Sequence, residues 1–95
     1  MTVTVRIPTT LRPLTAGAAT VKTSGATVAD VLNDLEARYP GLRERVLDES
    51  GALRRFVNVF LDDEDVRFLD GPGTGVPEGS TVAIVPAVAG GAAEV

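Results

Sequence analysis

One stretch of the sequence has a clear helical period, and segments that alternate like strands lie before and after it. Its apolar side chains recur at i, i+3, i+4 and i+7, namely at Val28, Val31, Leu32 and Leu35. This spacing predicts a helix with a single buried stripe. Thr27 is suited to the N-cap, and the helix should end near Tyr39 because Pro40 disfavours helical geometry in the residue before it. A chain of 95 residues has room for one core, so the stripe is expected to pack on a sheet.

Two short strands are predicted before this helix. Residues 2–7 alternate polar and apolar, which turns Val3, Val5 and Ile7 towards one buried side, and Pro8 ends the strand. A turn-rich stretch then leads to residues 19–23, which are β-prone and close enough in sequence to form the second arm of a hairpin.

The strongest strand signal lies after the helix, at residues 56–61, and we expect this strand near the centre of the sheet. Its alternation should turn one set of side chains towards the helix, namely Val57, Val59 and Leu61. The other set should face the opposite side, namely Phe56, Asn58 and Phe60.

The remaining segments are shorter. Residues 42–47 are expected to form a helical turn whose apolar contacts are Leu42, Val46 and Leu47. Residues 62–65 are interpreted as a turn, residues 66–69 as a short strand or sheet edge, and residues 71–80 as a loop. The last strand, residues 82–85, should stop pairing at Pro86 because proline cannot donate to a ladder.

This order of elements predicts an α+β roll, a mixed sheet of four or five strands wrapped around one main helix. The first and last strands should lie side by side in the middle of the sheet. They should run parallel, because the helix supplies the crossover connection that parallel strands need.

The types of side chain in the sequence argue against an enzyme. The sequence has no histidine and no cysteine, so Ser24, Ser50 and Ser80 lack a base that could activate them. The acidic residues 62–65 lack the ligand spacing of a calcium loop, and residues 71–75 lack the Lys-Ser/Thr pair of a phosphate-binding loop. We therefore expect no metal and no bound cofactor.

Charge and hydropathy indicate which classes of partner and which location to expect. A net charge of −4 disfavours a nucleic-acid partner and suits an electropositive protein surface. We expect neither a signal peptide nor a membrane span, because no apolar run approaches the length of about 18 residues that a span needs. The expected location is the cytoplasm.

After Pro86 the sequence consists almost entirely of small residues and includes Gly90 and Gly91. Because glycine has no Cβ, such a tail can thread a narrow channel in another protein where any side chain would clash. A frayed terminus is the alternative interpretation. We divide the chain into a folded domain, residues 1–86, and a flexible C-terminal tail, residues 87–95.

The predicted order of elements, followed by Pro-Ala-Val-Ala-Gly-Gly at residues 86–91, resembles the ubiquitin-like sulfur carriers. That family includes the small subunit of molybdopterin synthase and the carrier of the thiamin pathway. The chain looks most like the carriers of actinobacterial cysteine synthesis, in stretches such as Ile7-Pro8-Thr9, Arg55-Phe56-Val57-Asn58 and Asp63-Glu64-Asp65-Val66-Arg67-Phe68. The resemblance spans residues 3–91 and implies a β-grasp fold.

The resemblance also implies a function. The carboxylate of Gly91 would be adenylated by an E1-like enzyme that uses ATP, and would then become a thiocarboxylate that donates its sulfur to a biosynthetic enzyme. The chain would be a protein cosubstrate and not an enzyme. The receiving pathway stays open among cysteine, molybdopterin, thiamin and a sulfur-containing secondary metabolite.

Four further residues follow Gly91, namely Ala92, Ala93, Glu94 and Val95. An internal Gly91 has a peptide bond in place of a free carboxylate, so the chain as written should be inactive. The resemblance implies that a metalloprotease of the JAMM type removes residues 92–95. The alternative function is a ubiquitin-like protein modifier or a non-covalent binding domain.

Contacts with the partner enzymes are expected at an apolar patch on the open face of the sheet and along the tail. Alternation leaves Phe60 on that open face, and a large exposed apolar side chain there needs an explanation. The expected contact residues are Phe60, Val85, Pro8, Pro86, Val88 and Ala89, with Gly90 and Gly91 at the reacting end. The alternative is that loops of the same chain cover Phe60.

Overall fold

A mixed sheet of five strands packs against one main helix in the computed structural model, which describes residues 2–55 and 57–86. The strands are β1 (Val3–Arg6), β2 (Thr20–Thr23), β3 (Val57–Leu61), β4 (Glu64–Asp65) and β5 (Thr81–Pro86). The helices are α1 (Val28–Arg38) and α2 (Arg43–Val46), and three 3₁₀ segments cover Thr9–Thr15, Val66–Phe68 and Gly71–Gly73. The predicted α+β roll is confirmed.

The strands lie in the order β2-β1-β5-β3-β4. β1 and β5 are parallel, while β1 with β2 and β5 with β3 are antiparallel. The first and last strands are therefore adjacent inside the sheet, as predicted. β3 lies near the centre, as expected, because it pairs with β5 on one side and with the short β4 on the other, and β5 is the middle strand of the five.

The inner face of the sheet and the stripe of α1 form the core. All four stripe residues of α1 are buried, as are the three inward residues of the first strand. Thr27 is the N-cap, and its side-chain oxygen accepts a hydrogen bond from the backbone N–H of Asp30 at 3.2 Å. α1 ends at Arg38 with Tyr39 as the C-cap. Local capping and apolar spacing thus agree on the position of the helix.

The second half of the chain completes the same core. Val59 is fully buried, and Val57 and Leu61 are half-buried against it, so the predicted inward set of β3 is confirmed. The predicted contacts of the short helix are buried as well, namely Leu42, Val46 and Leu47.

The hairpin between β3 and β4 is tighter than expected. Its turn consists of Asp62 and Asp63 alone, and both have positive φ, 47° and 81°. Two successive residues with positive φ make the type I′ turn, whose twist matches that of the flanking strands. Pairing therefore begins at Glu64 opposite Leu61, and residues 64–65 belong to a strand and not to the turn.

Residues 66–69 are not the strand that we expected. Val66–Phe68 is a 3₁₀ turn, and the carboxylate of Asp65 caps it by accepting a hydrogen bond from the backbone N–H of Arg67 at 2.8 Å. This local bond turns the chain away from the sheet after only two paired residues.

β5 runs one residue past its predicted end, to Pro86, which lies opposite Val57. Proline lacks the N–H but keeps its carbonyl, so it can still close the ladder as the last residue of a strand. The predicted direction of Phe56 and the interpretation of residues 87–95 as a tail lie outside the described residues.

Candidate functional site: the outer face of the sheet

The outer face of the sheet is the side that points away from α1. By register, Phe60 of β3 lies beside Ala83 of β5, and Ala83 lies beside Arg6 of β1. Val85 lies one row further on, beside Asn58, and is 41% exposed, whereas Phe60 is half-buried. Phe60, Ala83 and Val85 thus form a short apolar row on this face, and Arg6 and Asn58 are its polar neighbours.

A groove of about 460 Å³ opens at the end of this face, where β5 reaches Pro86. We call it the tail-base groove, and its walls include Arg6, Pro8, Thr9, Arg12, Val85 and Pro86. A second depression of about the same volume adjoins it and is lined by Phe60, Asp62 and Asp63 among others. Arg6, Ala83 and Val85 line both, so the structure brings the predicted contact residues Pro8, Phe60, Val85 and Pro86 onto one continuous surface.

The segment after β1 builds one wall of the groove. Pro8 precedes the 3₁₀ segment, and the backbone N–H of Ile7 donates to the carbonyl of Ala19 at 2.8 Å, which closes the hairpin. The Nε of Arg12 donates to the carbonyl of Ile7 at 3.1 Å. The 3₁₀ segment is thereby held over the end of β1, and Arg12 is held at the groove.

Sequence reasoning missed both arginines of the groove. Arg6 had a signal, because it occupies an outward position in the alternation of the first strand. Arg12 had none, since its place depends on a 3₁₀ segment that the sequence showed only as turn-rich.

Charge differs between the two ends of the outer face. Arg6 lies near the tail base, whereas Asp62 and Asp63 lie at the β3–β4 turn. The carboxylate of Asp62 accepts a hydrogen bond from the backbone N–H of Thr81 at 3.0 Å, which ties that turn to the start of β5. The face is therefore basic next to the tail and acidic at the far turn.

Arg67 holds the first part of β3 on the side that β4 leaves free. Its guanidinium donates to the side-chain oxygen of Asn58 at 2.9 Å and to the carbonyls of Arg54 and Val57 at 2.8 and 2.9 Å. Because Asn58 lies beside Val85, these hydrogen bonds stabilise the strand next to the apolar row of the outer face. The next residue, Phe68, is 85% exposed, and no sequence signal pointed to either side chain.

The carboxyl groups with lowered pKa values lie away from this face. A hydrogen bond from Arg38 at 2.7 Å is the main cause of the lowered pKa of Asp34. The backbone N–H groups of Gly41 and Arg43 lower the pKa of Glu36. Hydrogen bonds from Ser50 and Ala52 lower that of Asp48. Each carboxylate caps a turn or pairs locally, so these shifts reflect structure and not reactivity.

The described residues bring together few reactive side chains. Across residues 2–55 and 57–86, no three side chains that commonly ligate metals come together in a way that could hold an ion. None of the helices in this part of the chain has the length and apolar character needed to traverse a bilayer. The remaining predicted site residues, Val88, Ala89, Gly90 and Gly91, lie outside the described part of the chain.

Comparison with known proteins defines the class of protein. The model of the ThiS family matches residues 5–91, and the chain belongs to this family of ubiquitin-like sulfur carriers. The predicted β-grasp fold and the resemblance stated above are confirmed.

Individual relatives narrow the class further. The sulfur carrier protein CysO of Mycobacterium tuberculosis is 54% identical over 93 residues, which cover 96% of this chain and all of that protein. A chain in the crystal structure of the Amycolatopsis orientalis BexX/CysO complex matches with a TM-score of 0.89 and 48% identity, covering 94% of this chain and 99% of that one. Small archaeal modifier protein 3 of Haloferax volcanii is 46% identical over 66 residues, which cover 70% of this chain and 71% of that protein.

The chain is thus a homologue of the sulfur carrier CysO. Similarity to the carrier extends over almost the whole chain, whereas similarity to the modifier protein covers about two thirds of it. The carrier function is therefore the better supported of the two. Sulfur carriers are not themselves enzymes, which agrees with the inventory of side chains.

Proposed function

We propose that the chain carries sulfur as a thiocarboxylate on Gly91 after residues 92–95 have been removed. The observation that supports this most directly is that the family match ends at Gly91, the second residue of the glycine pair. β5 also brings the chain to the end of the outer face at Pro86, five residues before Gly91. The reacting group would therefore lie close in sequence to a surface that can dock a partner.

The chemistry requires nothing from the folded domain except binding. A metalloprotease of the JAMM type hydrolyses the bond between Gly91 and Ala92, which frees a carboxylate. An E1-like enzyme then joins this carboxylate to the AMP part of ATP with release of pyrophosphate. A sulfur nucleophile attacks the activated carbonyl and displaces AMP, which leaves a thiocarboxylate. A carboxylate reacts poorly until its oxygen belongs to a good leaving group, so activation comes from the partner, and ATP is bound there and not here.

The outer face docks these partners through Phe60, Val85, Pro8 and Pro86, and the tail enters the partner through Val88, Ala89, Gly90 and Gly91. An apolar centre with a polar surround is the usual composition of such a contact. A related CysO has been crystallised in complex with BexX, which supports docking of a carrier of this fold onto a partner protein.

The sulfur acceptor is an enzyme of cysteine synthesis, because similarity to CysO extends over nearly the whole chain. The acceptor, and not the carrier, sets the product, so molybdopterin, thiamin and a secondary metabolite are the other candidates. The cytoplasm is the proposed location, because it supplies the ATP that the activating enzyme would use.

The test compares a chain that ends at Gly91 with the chain that continues to Val95. Each is incubated with the activating enzyme of its own host, ATP and sulfide, and intact mass is measured. We expect one oxygen-to-sulfur exchange in the shorter chain and none in the longer one. Equal conversion of both, or conversion of neither, would contradict the proposal.

The width of the partner's channel gives a second test. Gly90→Ala and Gly91→Ala each add a methyl group at a position where we expect close contact with the enzyme, so either change should reduce adenylation at least tenfold. The free energy of unfolding should stay unchanged. Normal adenylation of both variants would show that the channel does not select for glycine.

A protein modifier is the second candidate, and the similarity to small archaeal modifier protein 3 favours it. A modifier also needs a free Gly91, so removal of residues 92–95 does not separate the two functions. ATP-dependent isopeptide bonds to lysines without any uptake of sulfur would support the modifier and rule out the carrier.

A further inference from the structure

The tail-base groove carries two arginines that the proposed function leaves without a role. Arg6 is exposed at the end of β1, and Arg12 projects from the 3₁₀ segment beside it. Among the described residues, the Arg6 side chain makes no hydrogen bond or ion pair, and Arg12 uses only its Nε, which donates to the carbonyl of Ile7. Within residues 2–55 and 57–86, the terminal nitrogens of Arg12 and the whole guanidinium of Arg6 thus have no hydrogen-bond partner that would compete with a ligand.

Of the described residues that line the groove, none has an acidic side chain. The nearest acidic pair on this face, Asp62 and Asp63, lines the adjoining depression together with Arg6 but lies beyond ion-pair distance of it. The chain as a whole has a net charge of −4. The tail-base groove therefore carries two guanidinium groups with no described carboxylate partner. Its local charge is positive, opposite in sign to the net charge of the chain.

The groove is also partly apolar. Pro8, Val85 and Pro86 form walls next to the arginines, and Val85 continues into the row that contains Phe60. A free phosphate ion would satisfy the arginines but would leave these apolar walls exposed to water. An acidic segment of a protein would cover both, because a protein surface can place a carboxylate beside apolar side chains.

We infer that the tail-base groove, through Arg6 and Arg12, binds an acidic segment of the adenylating enzyme and so aligns the tail with that enzyme's channel. The inference rests on the proposed function, since the adenylating enzyme is the first partner that must accept the tail. The hydrogen bond from the Nε of Arg12 to the carbonyl of Ile7 orients the guanidinium for this contact. It leaves the two terminal nitrogens to form a bidentate contact with a carboxylate. Neither arginine touches the reacting carbonyl, so both are positioning residues.

The experiment measures kcat and KM for adenylation of the chain ending at Gly91, with the activating enzyme of its host and ATP. Arg6→Glu places a carboxylate against a carboxylate, so KM should rise about tenfold while kcat changes little. Arg12→Glu should act in the same direction, and Arg12→Lys, which keeps the charge, should recover most of the loss. Thermal unfolding of each variant shows whether the 3₁₀ segment is intact.

Lys22→Glu is the matched control. Lys22 is exposed on β2, on the same outer face, and is opposite Thr4 of β1, but it is not part of the groove. The change in net charge equals that of Arg6→Glu, so an effect of overall charge alone would appear in both variants. We expect KM of Lys22→Glu to stay within about twofold of the unaltered chain.

Ionic strength provides a second readout that a purely structural role would not alter. KM of the unaltered chain should rise with salt, and this dependence should weaken in Arg6→Glu. An equal rise of KM in Arg6→Glu and Lys22→Glu, or no rise in either, overturns the inference. Adenylation of the unaltered chain in the same assay would then leave the proposed function standing. Failure of the unaltered chain to be adenylated at all overturns the proposed function and the inference together.

Discussion

The inner and outer faces of the sheet are built by the same alternating strands, but they differ in what covers them. Val5 points inward and is fully buried, while the next residue, Arg6, points outward and is exposed. Near the end of β5, Ile84 is 3% exposed and Val85 is 41% exposed. Alternation therefore produces both faces, and the packing of α1 decides which of them becomes the core.

The two faces differ in what their residues can contribute. The inner face is aliphatic and closed, so its residues contribute to stability. The outer face combines an apolar row with opposite charges at its two ends, which is a composition suited to a partner. Substitutions on the inner face should therefore change stability, and those on the outer face should change binding.

Leu32→Ala should have the largest effect on the inner face. Leu32 is fully buried between α1 and the sheet, and truncation of such a residue costs about 2–5 kcal/mol of the free energy of unfolding. Urea unfolding provides the measurement. Asn33→Ala, at the exposed position next to it, is the control and should change stability by less than about 0.5 kcal/mol. A similarly small loss for Leu32→Ala would mean that α1 does not cover the sheet.

Gly25→Ala should be the next largest change, because it acts on the start of the same helix. A Cβ at Gly25 would lie 2.8 Å from the backbone nitrogen of Val31 and 2.9 Å from the Cβ of Asp30. Backbone cannot move aside cheaply, so we expect a loss of about 1–3 kcal/mol in unfolding free energy. The control is Gly73→Ala, where a Cβ would meet no atom within 4 Å. Equal stability of the two variants would argue against this close approach.

Phe60→Ala should show the opposite behaviour on the outer face. Binding to the activating enzyme should weaken by about 1–3 kcal/mol, while the free energy of unfolding changes by less than about 1 kcal/mol. Isothermal titration and urea unfolding measure the two quantities. Leu61→Ala is the matched control, because Leu61 is the next residue of β3 and packs on the core, so it should lose stability more than binding. A loss of several kcal/mol in stability with intact binding would remove Phe60 from the docking face.

Glu36→Gln should have the smallest effect, because Glu36 belongs to neither face. Its carboxylate accepts hydrogen bonds at 3.0 Å from the backbone N–H groups of Gly41 and Arg43, between α1 and α2. These bonds favour the ionised form and hold the pKa of Glu36 below its ordinary value of about 4.3. Its contribution to stability is thus present above about pH 4.3 and is lost as pH falls through the lower pKa of the folded state.

The measurement for Glu36 is urea unfolding across the range from about pH 6 to about pH 3. The unaltered chain should lose stability more steeply on acidification than Glu36→Gln, whose amide does not titrate in this range. Identical pH dependence of the two proteins would show that the charge of Glu36 does not stabilise the turn between α1 and α2.

Much of the fold was predictable because its signals are local. The stripe of α1 and its N-cap at Thr27 depend on residues within a few positions of one another, and the structure confirms both. The β1–β2 hairpin was predictable for the same reason. The adjacent parallel pair of first and last strands followed from the need for a helical crossover.

The errors concern features whose outcome depends on competing local geometries. The acidic residues 62–65 were interpreted as one turn, but two successive positive φ angles at Asp62 and Asp63 let pairing resume at Glu64. The hydrogen bond from Arg67 to Asp65 then favoured a 3₁₀ turn over a strand at Val66–Phe68. Composition alone does not separate these alternatives.

The residues of the candidate site also fall into those that the sequence could predict and those that it could not. Phe60 and Val85 could be placed on the open face by alternation, and the glycine pair could be assigned to the reacting end by resemblance. Arg6 and Arg12 could not be linked to Val85 and Pro86, because the groove exists only where a 3₁₀ segment and two distant strands meet.

The sequence by itself determined the helix, the alternation of the strands and the glycine pair after Pro86, because periodicity and residue type act over short distances along the chain. Only the tertiary structure decided which side chains share a surface. The parallel register of β1 with β5 places Arg6 beside Ala83, residues that are far apart in sequence, and the same sheet then carries Ala83 beside Phe60. Such neighbours arise from long-range pairing, which depends on the burial of the whole core and not on any one segment.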